Sequence, residues 1–217
     1  MKDKIFLILA VLISSLILSF PAMAAENDPR DSIAAPGGTD IFLFYYRNYT
    51  GTEFYQDGDR LDSNADFDFN MAIARYARFW SLERWGMADW ILSADVLQPF
   101  GTMNCDLLGS ETHASGLGDT TLAAHLNTPY FIDTGNMKYG MSIGYIMTVP
   151  TGEYHNEKET VNLGANRWSY EAEVTPVICL LGDMTFELTG SVTFYSDNDD
   201  YGAASETLET DPSYLLQ

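Results

Sequence analysis

From residue 39 onward apolar and polar residues alternate with a period of two, in segments of ten residues or more. That period belongs to a β-strand, whose successive side chains point to opposite faces. In residues 66–76, Phe67, Phe69, Met71 and Ile73 fall on one face, and Asp66, Asp68, Asn70, Ala72 and Ala74 on the other. The same alternation runs through Trp90, Leu92, Ala94 and Val96, through Leu122, Ala124 and Leu126, and through Tyr139, Met141, Ile143, Tyr145 and Met147. It returns in Trp168, Tyr170, Ala172 and Val174, and in Met184, Phe186 and Leu188 followed by Val192 and Phe194. Residues 40–49 form a less regular first strand, apolar on both faces, and residues 212–217 look like the start of an eighth. Strands of soluble sandwiches cluster near five or six residues. Alternating segments of about ten residues are those of an antiparallel up-and-down transmembrane β-barrel.

The connections support that topology. Long polar loops are expected near 50–64, 98–115, 150–165 and 196–211, and shorter links near 77–86, 129–137 and 179–183. Barrels of this kind have long extracellular loops and short periplasmic turns. With a periplasmic N-terminus, every long loop falls outside. Phe79, Trp80, Trp85, Trp90, Tyr130, Phe131 and Tyr139 then gather at the inner ends of the strands. Tyr46, Tyr49, Phe100, Trp168, Tyr170, Phe194 and Tyr195 gather at the outer ends. Two aromatic girdles around an aliphatic band match the two bilayer interfaces. Phe69, Ile73, Leu92, Leu122 and Ile143 are expected to face lipid.

The N-terminus names the compartment. Lys2 and Lys4 precede an uncharged run over residues 5–20, which Pro21 ends before Ala22-Met23-Ala24. This reads as a secretory signal peptide, residues 1–24, cleaved after Ala24. Its sixteen-residue apolar run is shorter than the ~20 residues of a spanning helix. Residues 25–38, with Pro29, Pro36, Gly37 and Gly38, form an irregular lead-in, and 39–217 form the barrel domain. After the signal no run is long enough for a transmembrane helix, so a membrane-embedded chain of this kind has to be a barrel. The outer membrane of a Gram-negative cell is the expected location, with its lipid as the first partner.

The chain without residues 1–24 keeps 9 basic and 30 acidic residues, a net charge of −21. Such a charge repels nucleic acid. The acidic runs Asp57-Gly58-Asp59 with Asp62, and Asp197-Asn198-Asp199-Asp200, offer at most weak divalent-cation sites, because neither has the spacing of a calcium loop. No metal-ligand spacing joins His113, His125 and His155, and no nucleophile–base constellation is legible. The expectation is a protein that is not an enzyme, with no cofactor and no metal centre. Asp66, Asp68, Asn70, Asp89, Asp95, Asp119, His125, Arg167, Glu171, Glu173 and Glu187 share the polar parity and are the candidates to line a lumen, where charge tunes selectivity. Cys105 and Cys179 are placed at opposite ends of a wall ~25 Å tall and are not expected to pair.

Three stretches carry a family resemblance: Pro36-Gly37-Gly38-Thr39-Asp40-Ile41-Phe42-Leu43-Phe44-Tyr45-Tyr46-Arg47, Ser115-Gly116-Leu117-Gly118-Asp119-Thr120-Thr121-Leu122, and Val149-Pro150-Thr151-Gly152-Glu153-Tyr154 with Asn162-Leu163-Gly164-Ala165-Asn166-Arg167-Trp168. Together they resemble the MetA-pathway of phenol degradation family of outer-membrane transporters. The resemblance implies a channel for passive uptake of small hydrophobic or aromatic compounds, and it supplies no catalytic residues. Members of that family continue through several more strands, so the sequence reads as a barrel whose C-terminal strands are missing. A structural or surface-interaction barrel without transport, and a soluble periplasmic β-sandwich, are the competing readings.

Overall fold

The computed structural model describes residues 32–56, 59–62, 65–107, 109–158, 161–180 and 184–217. The signal peptide, the first half of the lead-in, and Asp57 and Gly58 of the first acidic run lie outside the described residues. Eight strands make the wall: β1 (Asp40–Gly51), β2 (Asp66–Ser81), β3 (Ile91–Leu107), β4 (Thr120–Asn127), β5 (Met137–Val149), β6 (Ser169–Leu180), β7 (Gly190–Tyr195) and β8 (Ser213–Leu216). Each pairs antiparallel with the next in chain order, so the topology is a simple meander. Among the described residues β1 and β8 stand at the two edges and do not pair with each other. The wall is therefore an open half-barrel sheet rather than a closed ring.

One expected loop is mostly strand. Residues 98–115 read as a polar loop, yet β3 runs on to Leu107, turns at Gly109 in a left-handed conformation (φ +81°), and returns through Ser110–Leu117. The hairpin Phe54–Gln56 with Asp59–Asp62 and the hairpin Asn198–Tyr201 with Glu206–Leu208 likewise put strand where loop was expected. Loss of alternation marks the end of a two-sided environment, not the end of hydrogen bonding. A ribbon with solvent on both sides has no apolar face to announce it. The returning strand carries one extra residue: Phe100 pairs with Leu117 but Leu97 pairs with Thr121. That bulge falls at Pro99, which lacks the N–H a regular ladder needs, and Gly118 N donates to Pro99 O at 2.9 Å.

Directly opposed residues of an antiparallel sheet share a face. One face carries the row Phe42, Tyr76, Val96, Leu122, Met147, Tyr170 and Phe194, read across β1 to β7. Every member is apolar or aromatic. Phe42 is 79% exposed, and Val96, Ile143, Tyr145, Val174, Phe186, Phe194 and Tyr214 on the same face are exposed too. The opposite face carries Ser93, Asp95, Ser142, Glu173 and Thr175, all buried. Thr175 and Thr189 hydroxyls hydrogen-bond there at 2.9 Å. Apolar residues outside and polar residues inside invert the order of a soluble domain. They match a wall that meets lipid on its outer face.

The lipid-facing expectation holds its parity for Leu92, Leu122 and Ile143, which share the exposed apolar face. It fails for Phe69 and Ile73. Their partners Met103 and Pro99 lie on the inner face with Asp95. Cys105, near the loop-rich end of β3, and Cys179, near the opposite end of β6, are both free thiols.

The assignment of faces predicts an asymmetry between adjacent positions. Leu122→Arg should destabilise the folded protein in lipid vesicles by ~2–4 kcal/mol, while Thr121→Arg should cost well under half of that. Urea titrations of the two variants that coincide would reverse the faces.

Candidate functional site

Across the middle of the inner face runs a chain of polar contacts that no two strands make alone. Arg75 of β2 donates from Nη1 to Tyr45 Oη of β1 (3.2 Å) and from Nε to Asp95 Oδ1 of β3 (2.8 Å). The second Asp95 oxygen lies 3.9 Å from Nδ1 of His125 on β4, a charge contact too long for a hydrogen bond. His125 Nε2 lies 3.1 Å from Glu173 Oε1 on β6. Asp95 and Glu173 side chains are only 2% and 5% exposed, so each carboxyl depends on the polar groups beside it.

His125 and Glu173 are not on neighbouring strands, because β5 lies between them. The register explains the contact: His125 opposes Gly144, and Gly144 opposes Glu173. A Cβ at Gly144 would sit 2.5 Å from Glu173 Cγ and 2.7 Å from His125 Cδ2. The missing side chain is the gap through which the pair meets. Gly144→Val should therefore separate the pair and cost ~1–3 kcal/mol, the penalty for leaving a buried polar group without its partner. Gly190→Ala, where a Cβ meets nothing within 4 Å, is the matched control. Equal stability of the two variants in urea titrations would remove the pair from the account.

The candidates read from sequence do not all share this face. Asp95, His125, Glu171, Glu173 and Glu187 do. Asp66, Asp68 and Asn70 lie on the opposite face at the loop-rich end of β2. There Tyr46 Oη donates to Asn70 Oδ1 (2.6 Å), Asn48 Nδ2 donates to the same oxygen (2.9 Å), and Asn70 donates to Asp68. The apolar parity of Phe67, Phe69, Met71 and Ile73 made these three look inward-facing. The decisive residue was Arg75, which shares parity with Ile73 and cannot sit in the apolar band. Asp89 is not in a strand: it occupies a left-handed turn (φ 62°) beside a cavity of about 400 Å³ that Asn127, Tyr130 and Asp133 also line. In the turn at that end, the Gly135 N–H and the Lys138 ammonium hold the Asp133 carboxyl below the usual carboxylate range. Arg167 lies in the loop before β6, donating to Thr210 and stacking 4.5 Å over the Tyr195 ring.

Asp119 has a role the sequence did not reveal. It is buried in the bulge before β4. Its Oδ1 accepts from Gly152 N (2.8 Å) and its Oδ2 from Ala165 N (2.7 Å), so one carboxylate pins both ends of the loop between β5 and β6. Backbones meet closely here: a Cβ on Gly164 would lie 2.8 Å from Gly152 C, and one on Gly152 would lie 2.7 Å from Gly118 C. Three glycines and one aspartate thus bring together two of the motifs that lie some 30 residues apart in the chain. The pinned loop is braced further by Asn198, whose Nδ2 donates to Tyr154 Oη (3.0 Å) and whose Oδ1 accepts from Asn166 Nδ2 (2.9 Å). In the second acidic run, Asp200 accepts from Asn156 and Asp199 from Thr207, so these groups serve the loops themselves.

On β2 and β3 the inner face is apolar toward the loop-rich end, whereas Arg47 of β1 lies opposite Met71, and Thr121, Thr148 and Ser169 occupy that end of β4 to β6. Tyr49 stacks with Phe69 (centroids 6.1 Å apart, planes at 21°), and Phe67 lies beside Phe69 at 6.5 Å. Met71, Ile73 and Met103 continue the patch. The loop between β5 and β6 reaches across to it through Asn162 and Leu163.

Hydrogen bonds to a charged acceptor are worth ~1.5–3 kcal/mol each. Asp119→Ala should therefore speed amide exchange at Gly152 and Ala165 about ten- to a hundred-fold, while β4 and β5 keep their protection. Unchanged exchange would show that the loop is held by other contacts.

A meander wall with lipid outside and paired charges inside is that of an outer-membrane channel. The sequence comparisons agree. The family model described as the MetA-pathway of phenol degradation matches residues 50–216, and the chain belongs to that family. Among solved structures, it is similar to an outer membrane channel from Pseudomonas putida F1, with 32% identity and a TM-score of 0.77, over 87% of this chain and 68% of that one. No curated protein matches. The channel to which it is similar has a non-enzymatic role.

Proposed function

We propose that the protein lines a passive channel of the outer membrane for small apolar or aromatic solutes. The observation that carries this reading is the divided inner face. The aromatic and thioether patch of Phe67, Phe69, Met71 and Met103 occupies the loop-rich end of β2 and β3, and the polar band of Arg75, Asp95, His125 and Glu173 lies beyond it. A weakly soluble ring leaves water at the patch, where burial of apolar surface favours it. The ionic band offers it no comparable well, so it is released rather than held. A conduit needs that balance, with entry favourable and exit unhindered. Asp95, His125, Glu171, Glu173 and Glu187 are the lumen-lining residues on this reading. The long loops face the exterior, and export follows cleavage after Ala24. The family assignment supports the class of solute, and the channel to which the chain is similar supports the membrane.

The test is transport by the protein reconstituted into lipid vesicles, with influx of phenol and of a sugar of similar mass measured in parallel. Phenol should enter faster than the sugar. Phe69→Asp should lower phenol influx about tenfold, from the ~1.5–3 kcal/mol that a buried apolar side chain contributes, and leave ion conductance in planar bilayers in place. Equal influx of both solutes, unaltered in the variant, would leave a non-selective pore. An absence of both influx and current would favour a structural barrel.

A further inference from the structure

Beneath the loop joining β5 and β6 lies a cavity of about 80 Å³, lined by Phe69, Met71, Pro99, Met103, Gly118 and Leu163 among others. The one amide side chain at its rim is turned away. Asn162 Oδ1 accepts from His155 N (2.8 Å) and its Nδ2 donates to His155 O (3.0 Å), so both polar ends are occupied by the loop's own backbone. Water in a protein interior requires two or more polar partners, and a cavity with apolar walls stays dry and takes apolar guests. The loop is seated closely on the wall: a Cβ at Gly118 would lie 2.9 Å from Pro99 Cγ and 3.2 Å from Leu163 O. The Asp119 carboxylate next in sequence pins that loop on both sides.

We propose that this cavity is a binding subsite for a single aromatic ring, and that Leu163 is its lid. The proposal rests on the channel reading above and adds where the solute pauses. The walls favour an aromatic guest over an aliphatic one. Phe69 is a ring held in place by Tyr49, and aromatic pairs gain from offset or edge-to-face geometry beyond their buried area. Met71 and Met103 bring polarizable thioethers that adapt in shape and make favourable contacts with ring edges. The resting volume is about half the ~150 Å³ that admits benzene in an apolar interior. A ring therefore enters when the Leu163 side chain swings aside, and the Asp119 clamp keeps the backbone of the loop in place while it does.

The test uses 4-fluorophenol as the probe, followed by fluorine NMR on the protein in lipid nanodiscs, with empty nanodiscs as the reference for partition into lipid. Leu163 lies in a loop, so its variants leave the wall strands untouched. Saturable binding beyond the empty discs is expected, at least threefold tighter in Leu163→Ala, and lost in Leu163→Trp, whose indole fills the space. Cyclohexanol should displace the probe at least tenfold less well than phenol. Binding no greater than in empty discs, binding insensitive to Leu163→Trp, or equal displacement by cyclohexanol and phenol would each overturn the subsite. Planar-bilayer current, recorded on the same preparation, reports separately on the channel. Current without saturable binding removes the subsite alone, and saturable binding without current upholds the subsite while removing the channel.

Discussion

In a bilayer no water is available to a peptide group, so every N–H and C=O inside the hydrocarbon must find a partner within the protein. Every other feature of this chain follows from that demand. Strands answer it by pairing with neighbours, and each of β2 to β7 has a neighbour on both sides. Pairing fixes register, and register fixes which side chains share a face. The apolar row from Phe42 to Phe194 and the polar rows behind it are therefore one fact seen from two sides. Where the demand lapses, beyond the bilayer, the sheet continues without alternation, as in Ser110–Leu117.

A wall built this way leaves little freedom for placing chemistry. Side chains two strands apart are separated by an intervening residue on the same face. Contact between them needs that residue to vanish. Gly144 supplies the gap for His125 and Glu173, and the trio Gly118, Gly152 and Gly164 does the same for backbone at the loop-rich end. These glycines act through absent volume rather than through unusual backbone torsions. Their spacing is set by geometry in three dimensions. That explains how Asp119 can act on residues 33 and 46 positions away.

Strand character and the lipid-facing parity of β3 to β7 were legible in the sequence, because one face of those strands meets hydrocarbon and the other does not. β2 was misread for a physical reason. Its loop-rich half is apolar on the inner face through Phe67, Phe69, Met71 and Ile73, and polar on the outer face through Asp66, Asp68 and Asn70. In that half the outer face carries the Asp68 and Asn70 side chains, hydrogen-bonded with Asn48 of β1, so hydropathy alone inverts its phase. Arg75 carried the correct phase, since a mid-strand guanidinium belongs with partners such as Asp95. The clamp at Asp119 was not legible at all. Its motif was visible, but its partners are backbone amides, and a backbone amide leaves no trace in composition or periodicity.

The two halves of the inner face then stand in a definite relation. An ionic band alone favours hydrated ions and gives an apolar solute no reason to enter. An apolar patch alone holds such a solute at the mouth. On the proposed reading the sequence of the two matters more than either. The apolar patch removes the ring from water first, and the band that follows holds its polar groups in contact with one another. Arg75 is committed to Asp95, and Glu173 to His125. An Arg75 guanidinium held by Asp95 is less open to cation–π contact with a passing ring than a free one. On the proposed reading the contact through the Gly144 gap bears on passage as well as on stability, because it gives the buried Glu173 carboxyl a polar partner.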